Sequence, residues 1–275
     1  MPGGAAEPRP FAVGGLRGET AGEGRAIVLC HGLTATRRSV VHGSRLLERA
    51  GHVVLTYDAR GHGESEPAPA GEGYDYPALV SDLDAVIESE AGSGAAIVGG
   101  HSMGAHAAVA YALRNPARVA GLVVVGPSYT KPLDDHGLAY WDGLAAALET
   151  RGVDGFVEYV DRNQTIDPAW RDSVLRFTRE RMLRHLHLDA VARALREVPR
   201  SQPFASLDDL GAIEAPTLVV ASRDEADPGH PYAVAAAYAE ALPRAELVVE
   251  EAGQSPLAWQ GGRLSRAIAA FAAGL

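Results

Sequence analysis

The sequence predicts an α/β protein with a mostly parallel central sheet, helices on its faces and an inserted helical segment. Three observations predict it. Short β-branched runs alternate with Ala- and Leu-rich helical stretches through the first 130 residues. No buried-strand run occurs between residues 131 and 204. Strand–helix alternation then resumes to the end of the chain. Such alternation implies parallel strands joined by helical crossovers.

Taken in order, "AIVLC" (26–30) reads as a buried strand, because an apolar β-branched run suits a sheet covered on both faces. "SVVHGSRLLERAG" (39–51) reads as helical, and "VVLTYD" (53–58) as the next strand. In "YPALVSDLDAVIESE" (76–90) the apolar positions Leu79, Val80, Leu83, Val86 and Ile87 follow a helical period. "AAIVGG" (95–100) is a strand, "GAHAAVAYALRNP" (104–116) a helix closed by Asn-Pro, and "VAGLVVVG" (119–126) a strand. Helical patterns such as "WRDSVLRFTRERMLRHL" (170–186) fill the middle. "APTLVVAS" (215–222) and "AELVVEE" (245–251) are strands, with helices at 231–242 and 261–275. The expected division is a first half of the α/β core (1–130), a helical cap (131–205) and the second half of the core (206–275).

The chain has 275 residues, 47% of them hydrophobic, enough to bury one sizeable core. Its net charge of −10 argues against a nucleic-acid partner, since phosphate contacts need a basic face. Cys30 is the single cysteine, so no intrachain disulfide forms. Neither a membrane-spanning apolar run nor a signal-peptide pattern is evident, so a cytoplasmic protein is expected. Homo-oligomerisation is left open.

The chemistry concentrates in "GHSMG" (100–104), a Gly-x-Ser-x-Gly between a strand and a helix. Gly100 and Gly104 allow a tight turn that exposes the Ser102 hydroxyl at a helix N-terminus, where free N–H groups favour a developing anion. With "LCHGL" (29–33) and "YDARGHGES" (57–65), this order of motifs resembles the α/β-hydrolase superfamily over nearly the whole chain. The resemblance implies the α/β-hydrolase fold, with Ser102 as nucleophile. It implies the backbone N–H groups of Leu33 and Met103 as the oxyanion hole. It implies Asp224 as the acid, four residues before Pro228, with Asp227 as competitor or as a cap of the next helix. No cofactor is implied, and no metal cluster is evident.

The same resemblance calls for a histidine after the last strand. "LVVEEAGQSPLAW" (247–259) keeps Gly253, Ser255 and Pro256 but carries Gln254 at that position. Glutamine has no titratable nitrogen and cannot relay the Ser102 proton. Of ten histidines, His31 and His62 are expected to hold their loops, His101 to point away from the turn, and His106 to pack below it. His230, His136, His185 and His187 are the candidate replacement bases. Tyr140, Trp141 and Phe156 are candidate pocket residues, and "RERMLRHLH" (179–187) is expected to be a solvated helix face.

Two functions follow from these residues. One is a hydrolase of small esters or related acyl compounds, slow or working with an altered base. The other is a non-hydrolytic binder or sensor of a small molecule on the same fold. A third, lesser reading is an enzyme whose histidine was replaced by Gln254 to trap a complex.

Overall fold

The computed structural model describes residues 7–223 and 227–275. Eight strands form one sheet: β1 (Arg9–Val13), β2 (Leu16–Ala21), β3 (Arg25–Cys30), β4 (His52–Asp58), β5 (Ala96–His101), β6 (Val119–Val125), β7 (Thr217–Ala221) and β8 (Ala245–Val249). Their order is β1-β2-β4-β3-β5-β6-β7-β8. β1 pairs with β2, and β2 with β4, antiparallel; every later pairing is parallel. The mostly parallel α/β architecture expected from the sequence is the one observed.

The first two strands are a hairpin that the apolar pattern does not announce. Its turn is Gly14-Gly15, with Gly14 at φ 55°, the left-handed backbone that a two-residue hairpin turn requires. The helices are α1 (Leu46–Arg49), α2 (Tyr76–Val86), α3 (Met103–Arg114), α4 (Asp135–Asn163), α5 (Arg171–Met182), α6 (Leu188–Glu197), α7 (Tyr232–Ala241) and α8 (Gly261–Ala273). The helix expected over 39–51 shrinks to four residues, because His42 (φ 46°) and Gly43 (φ 76°) turn the backbone left-handed in its middle. α2 starts as its sequence suggests: the Asp75 side chain accepts the Ala78 N–H at 2.9 Å, capping the first turn.

Ile27, Val28 and Leu29 are fully buried, as a central parallel strand should be when both its faces are covered. One core face packs β3, β5 and β6 against α2, α3 and α7 through residues such as Val28, Leu83, Val109 and Tyr238. The other packs the same strands against α8 through Ile27, Ile97, Leu264 and Ile268. A third cluster joins α4 and α6 to the carboxyl edge of the sheet, with Leu144, Phe156, Met182 and Val191 against Leu33 and Met103. All three long helices between β6 and β7 thus belong to a layer lying over the motif loops. Among the described residues no helix is long and apolar enough to cross a membrane.

Candidate active site

Ser102 sits between the last residue of β5 and the first of α3 with φ 54° and ψ −118°, a strained conformation for a residue with a side chain. The surroundings over-determine it. A Cβ on Gly104 would lie 2.3 Å from the Cys30 carbonyl oxygen, and one on Gly100 2.5 Å from the same atom. Only glycine at both positions lets α3 begin against the end of β3. Ser102 is held by its own N–H, which donates to the Val125 carbonyl at 3.0 Å. The side chain is half-buried. Met103 opens α3, so its N–H has no acceptor within the helix.

The His31-Gly32 loop lies directly against this turn. A Cβ on Gly32 would stand 3.4 Å from the Ser102 Cβ and 3.1 Å from the His101 Nδ1. Ala35 N–H donates to the Gly32 carbonyl at 2.9 Å, closing a turn with Leu33 inside it. Leu33, the residue after Gly32, and Met103, the residue after Ser102, share one buried cluster.

Most of the histidines around the turn are structural. His31 Nε2 accepts the Ala59 N–H at 2.9 Å, which leaves Nδ1 to donate to the Gly32 carbonyl at 2.8 Å. His62 Nε2 meets the Leu33 carbonyl at 2.7 Å. His106 Nε2 accepts N–H groups from Ser128 and Tyr129 at 3.0 and 3.2 Å, and Nδ1 meets the Tyr76 hydroxyl at 2.9 Å. His185 Nδ1 accepts the Gly63 N–H at 2.9 Å, tying the helical layer to the Asp58–Ser65 loop. Burial pushes the imidazoles of His31, His106 and His185 down to about 3. His136 is exposed at the start of α4, and His187 is the residue preceding α6.

That leaves His230. Its Nδ1 is 2.7 Å from Asp227 Oδ1, and both side chains are largely buried. No hydrogen bond engages its Nε2 among the described residues. Its ring packs on His101, centroid to centroid 4.6 Å. His101, the immediate neighbour of Ser102, thus lies between Gly32 and His230, and its Nε2 is buried without a partner among the described residues. Burial, then the neighbouring His230, pushes the His101 imidazole down to about 3. Burial works to raise the Asp227 carboxyl, but His230, His101 and Arg181 outweigh it and hold the group below the usual carboxylate range. An ionised Asp227 accepts the Nδ1–H of His230 and leaves Nε2 as the basic nitrogen.

Asp227 does not cap α7, whose first turn has no side-chain cap. Asp224 lies outside the described residues. The structure also assembles a group of possible metal ligands that the sequence does not reveal: donor atoms of His101, Asp227 and His230 lie within 4.8 Å of one another. The spacing Asp-x-x-His in "DPGH" was the available signal for this pair.

Gln254 is committed elsewhere. Its Nε2 donates to Glu251 Oε2 at 2.9 Å, and its Oε1 accepts from Arg263 Nη1 at the start of α8. Below it, the buried carboxylate of Glu250 accepts the Ser222 hydroxyl and the Leu257 N–H, each at 3.2 Å, and the Arg223 N–H. Glu250, unremarked in the sequence, thus ties the loop after β7 to the turn after β8.

Of the aromatic candidates, Phe156 is 1% exposed and packs within the helical layer. Tyr140 and Trp141 are half-buried and meet edge to face at 5.6 Å. The stretch 179–187 is not a uniformly solvated face: Met182 is fully buried and His185 7% exposed, with Arg181 turned inward beside them. Two surface hollows, one lined by Arg37, Arg38 and Glu48 and one by Ala117, Glu214 and Arg244, do not include Ser102.

Ser102 thus stands on a strained strand–helix turn at the carboxyl edge of a parallel sheet. The chain matches the alpha/beta hydrolase fold family over residues 25–260 and belongs to it. It is similar to a Variovorax paradoxus protein named as a carbamate hydrolase, 31% identical over 74% of this chain and 75% of that one. It is also similar to a 2-hydroxy-6-oxononadienedioate/2-hydroxy-6-oxononatrienedioate hydrolase of Pseudomonas putida, 31% identical over 74% of this chain and 73% of that one. Among solved structures, a thermophilic esterase of Thermogutta terrifontis superimposes with a TM-score of 0.79 at 25% identity, covering 98% of this chain and 99% of the other.

Proposed function

We propose that this chain is a serine hydrolase of a small ester or related acyl compound in which the base has moved from the turn after β8 to the loop after β7. The observation that carries the reading is the strained Ser102 backbone, φ 54° and ψ −118°, kept by two glycines that no other residue could replace. Such strain is retained where the exposed hydroxyl has work to do.

In this mechanism Ser102 Oγ attacks the acyl carbon while His230 Nε2 takes its proton, with Asp227 orienting the ring. The N–H groups of Leu33 and Met103 hold the developing oxyanion. The alcohol leaves with the proton from His230, giving an acyl-serine. Water, deprotonated by the same nitrogen, attacks the acyl carbon, releases the acid and restores the Ser102 hydroxyl. Residues 131–205 act as a cap over this centre, with Tyr140 and Trp141 toward the substrate.

The second reading, a non-hydrolytic small-molecule binder, draws support from the engagement of Gln254 with Glu251 and Arg263, which gives that turn a structural occupation. A panel of p-nitrophenyl esters with short to medium acyl chains separates the two readings. Turnover by the wild type that disappears in Ser102→Ala is the expected result. Absence of turnover on every ester favours the binder.

A further inference from the structure

Three side chains converge where β5, β6 and β7 end side by side. His101 is the last residue of β5, and Asp227 and His230 follow β7. One donor atom from each lies within 4.8 Å of the other two. His230 Nδ1 is 2.7 Å from Asp227 Oδ1, and the rings of His101 and His230 lie 4.6 Å apart, centre to centre. Gly126, the residue after β6, leaves open a space that both rings border. A Cβ there would stand 3.2 Å from His101 Nε2 and 3.3 Å from His230 Cγ.

Two of the three residues carry an atom with unmet bonding capacity. His101 Nε2 and Asp227 Oδ2 are sealed from solvent with no hydrogen-bond partner among the described residues. Buried polar atoms are rarely left so, and a bound ion is one of the few reasons a fold keeps them. The donor set selects the ion. Two imidazoles and one carboxylate, with a fourth position open, suit Zn2+ and its first-row neighbours. A hard ion such as Mg2+ or Ca2+ takes oxygen ligands. Here there is one carboxylate, whose charge Arg181 already shares. Ligand atoms about 2.1 Å from a tetrahedral ion stand about 3.4 Å apart. Donors within 4.8 Å close onto such an ion by side-chain rotation. His230 is 15% and Asp227 11% exposed, which leaves the ion a way in.

We propose that His101, Asp227 and His230 bind one divalent transition-metal ion of the Zn2+ class, and that the bound ion reversibly silences Ser102. The silencing rests on the Ser102 reading; the binding does not. Whichever ring nitrogen of His230 holds the ion, Nε2 is lost as a base. Ligated directly, it has no free lone pair. With Nδ1 ligated instead, the one proton of the neutral ring sits on Nε2.

Equilibrium dialysis of EDTA-treated protein against ZnCl2 or MgCl2 tests the binding, with folding checked by circular dichroism. The wild type should retain one zinc per chain and no magnesium. His101→Phe keeps a ring against His230 but removes the donor nitrogens, and it should weaken zinc binding by about 100-fold or more, as should Asp227→Asn. His136→Ala, at an exposed position of α4, should leave it unchanged. Co2+ should give the visible bands of a four-coordinate site in the wild type and lose them in His101→Phe. Turnover of a p-nitrophenyl ester should fall over the same range of zinc concentration and return with EDTA. No zinc retained, or zinc retained equally by folded His101→Phe and Asp227→Asn, would overturn the inference and leave the hydrolase reading standing. One zinc bound with ester turnover unchanged or raised would overturn the silencing. One zinc bound by a chain that hydrolyses no ester would discard the hydrolase reading and keep the metal site.

Discussion

At the end of β5 the chain turns through Ser102 with its backbone strained and two flanking glycines pressed onto Cys30. At the end of β8 it turns through Gly253, φ 79°, into Gln254, whose amide bonds to Glu251 and Arg263. Both turns stand at the carboxyl edge of the same parallel sheet. The first retains every feature that presents a hydroxyl. The second has become a brace between strand and helix. If Ser102 is the nucleophile, as proposed, its imidazole comes from outside the turn after β8, and His230, three residues beyond its partner Asp227, is the one the proposed mechanism assigns.

The comparison breaks most severely at Ser102. Ser102→Ala is expected to cut ester turnover by about 10³-fold or more, as loss of a nucleophile does in well-studied serine hydrolases. The melting temperature should hardly move, because the turn is set by the glycines. Next comes Asp227→Asn, which keeps the shape but no longer fixes the tautomer of His230. A loss of about 10² in kcat is expected, with KM changed little. Equal turnover in Asp227→Asn would show that the pair at 2.7 Å has no part in the chemistry.

Acid sharpens the contrast between structural and reactive histidines. His31, His101, His106 and His185 sit near 3 in the fold against an ordinary 6.5. A base depressed in this way stays neutral when folded and takes up its proton on unfolding. The unfolded state therefore binds more protons between about 3 and 6.5, and stability falls as pH drops through 6.5, by up to about 1.4 kcal/mol per pH unit per group. The melting temperature should fall by about 5 °C or more between pH 7.5 and pH 5. A flat profile over that interval would contradict the burial of these rings. The smallest effect belongs to Gln254→Ala. It removes two bonds at a half-exposed turn and should cost about 1 kcal/mol of stability, read by urea denaturation.

Much of the site was legible because its motifs force local backbone. Gly100, Gly104, His31 and Gly32 each have their place dictated within a few residues, and the structure sets them where the sequence put them. The helical layer was legible as a strand-free interval. Other features depend on what comes to lie alongside. Arg181 reads as one more surface charge in "RERMLRHLH", and only the packing of α5 onto the sheet edge turns it inward. His101 and His230 are 129 positions apart, and their stacking follows from the neighbouring strands β5, β6 and β7. The hairpin of β1 and β2 carries too many charged and glycine positions to show an apolar alternation. The helix over 39–51 failed because propensity says nothing of the left-handed turn at His42 and Gly43.

The account stands or falls on where the base is, and one measurement addresses it directly: kcat/KM of His230→Ala on whichever ester the wild type turns over through Ser102, with folding checked by circular dichroism. The expected result is a fall of about 10² to 10⁴, the usual contribution of a positioned general base. A folded His230→Ala protein with wild-type turnover would contradict the account.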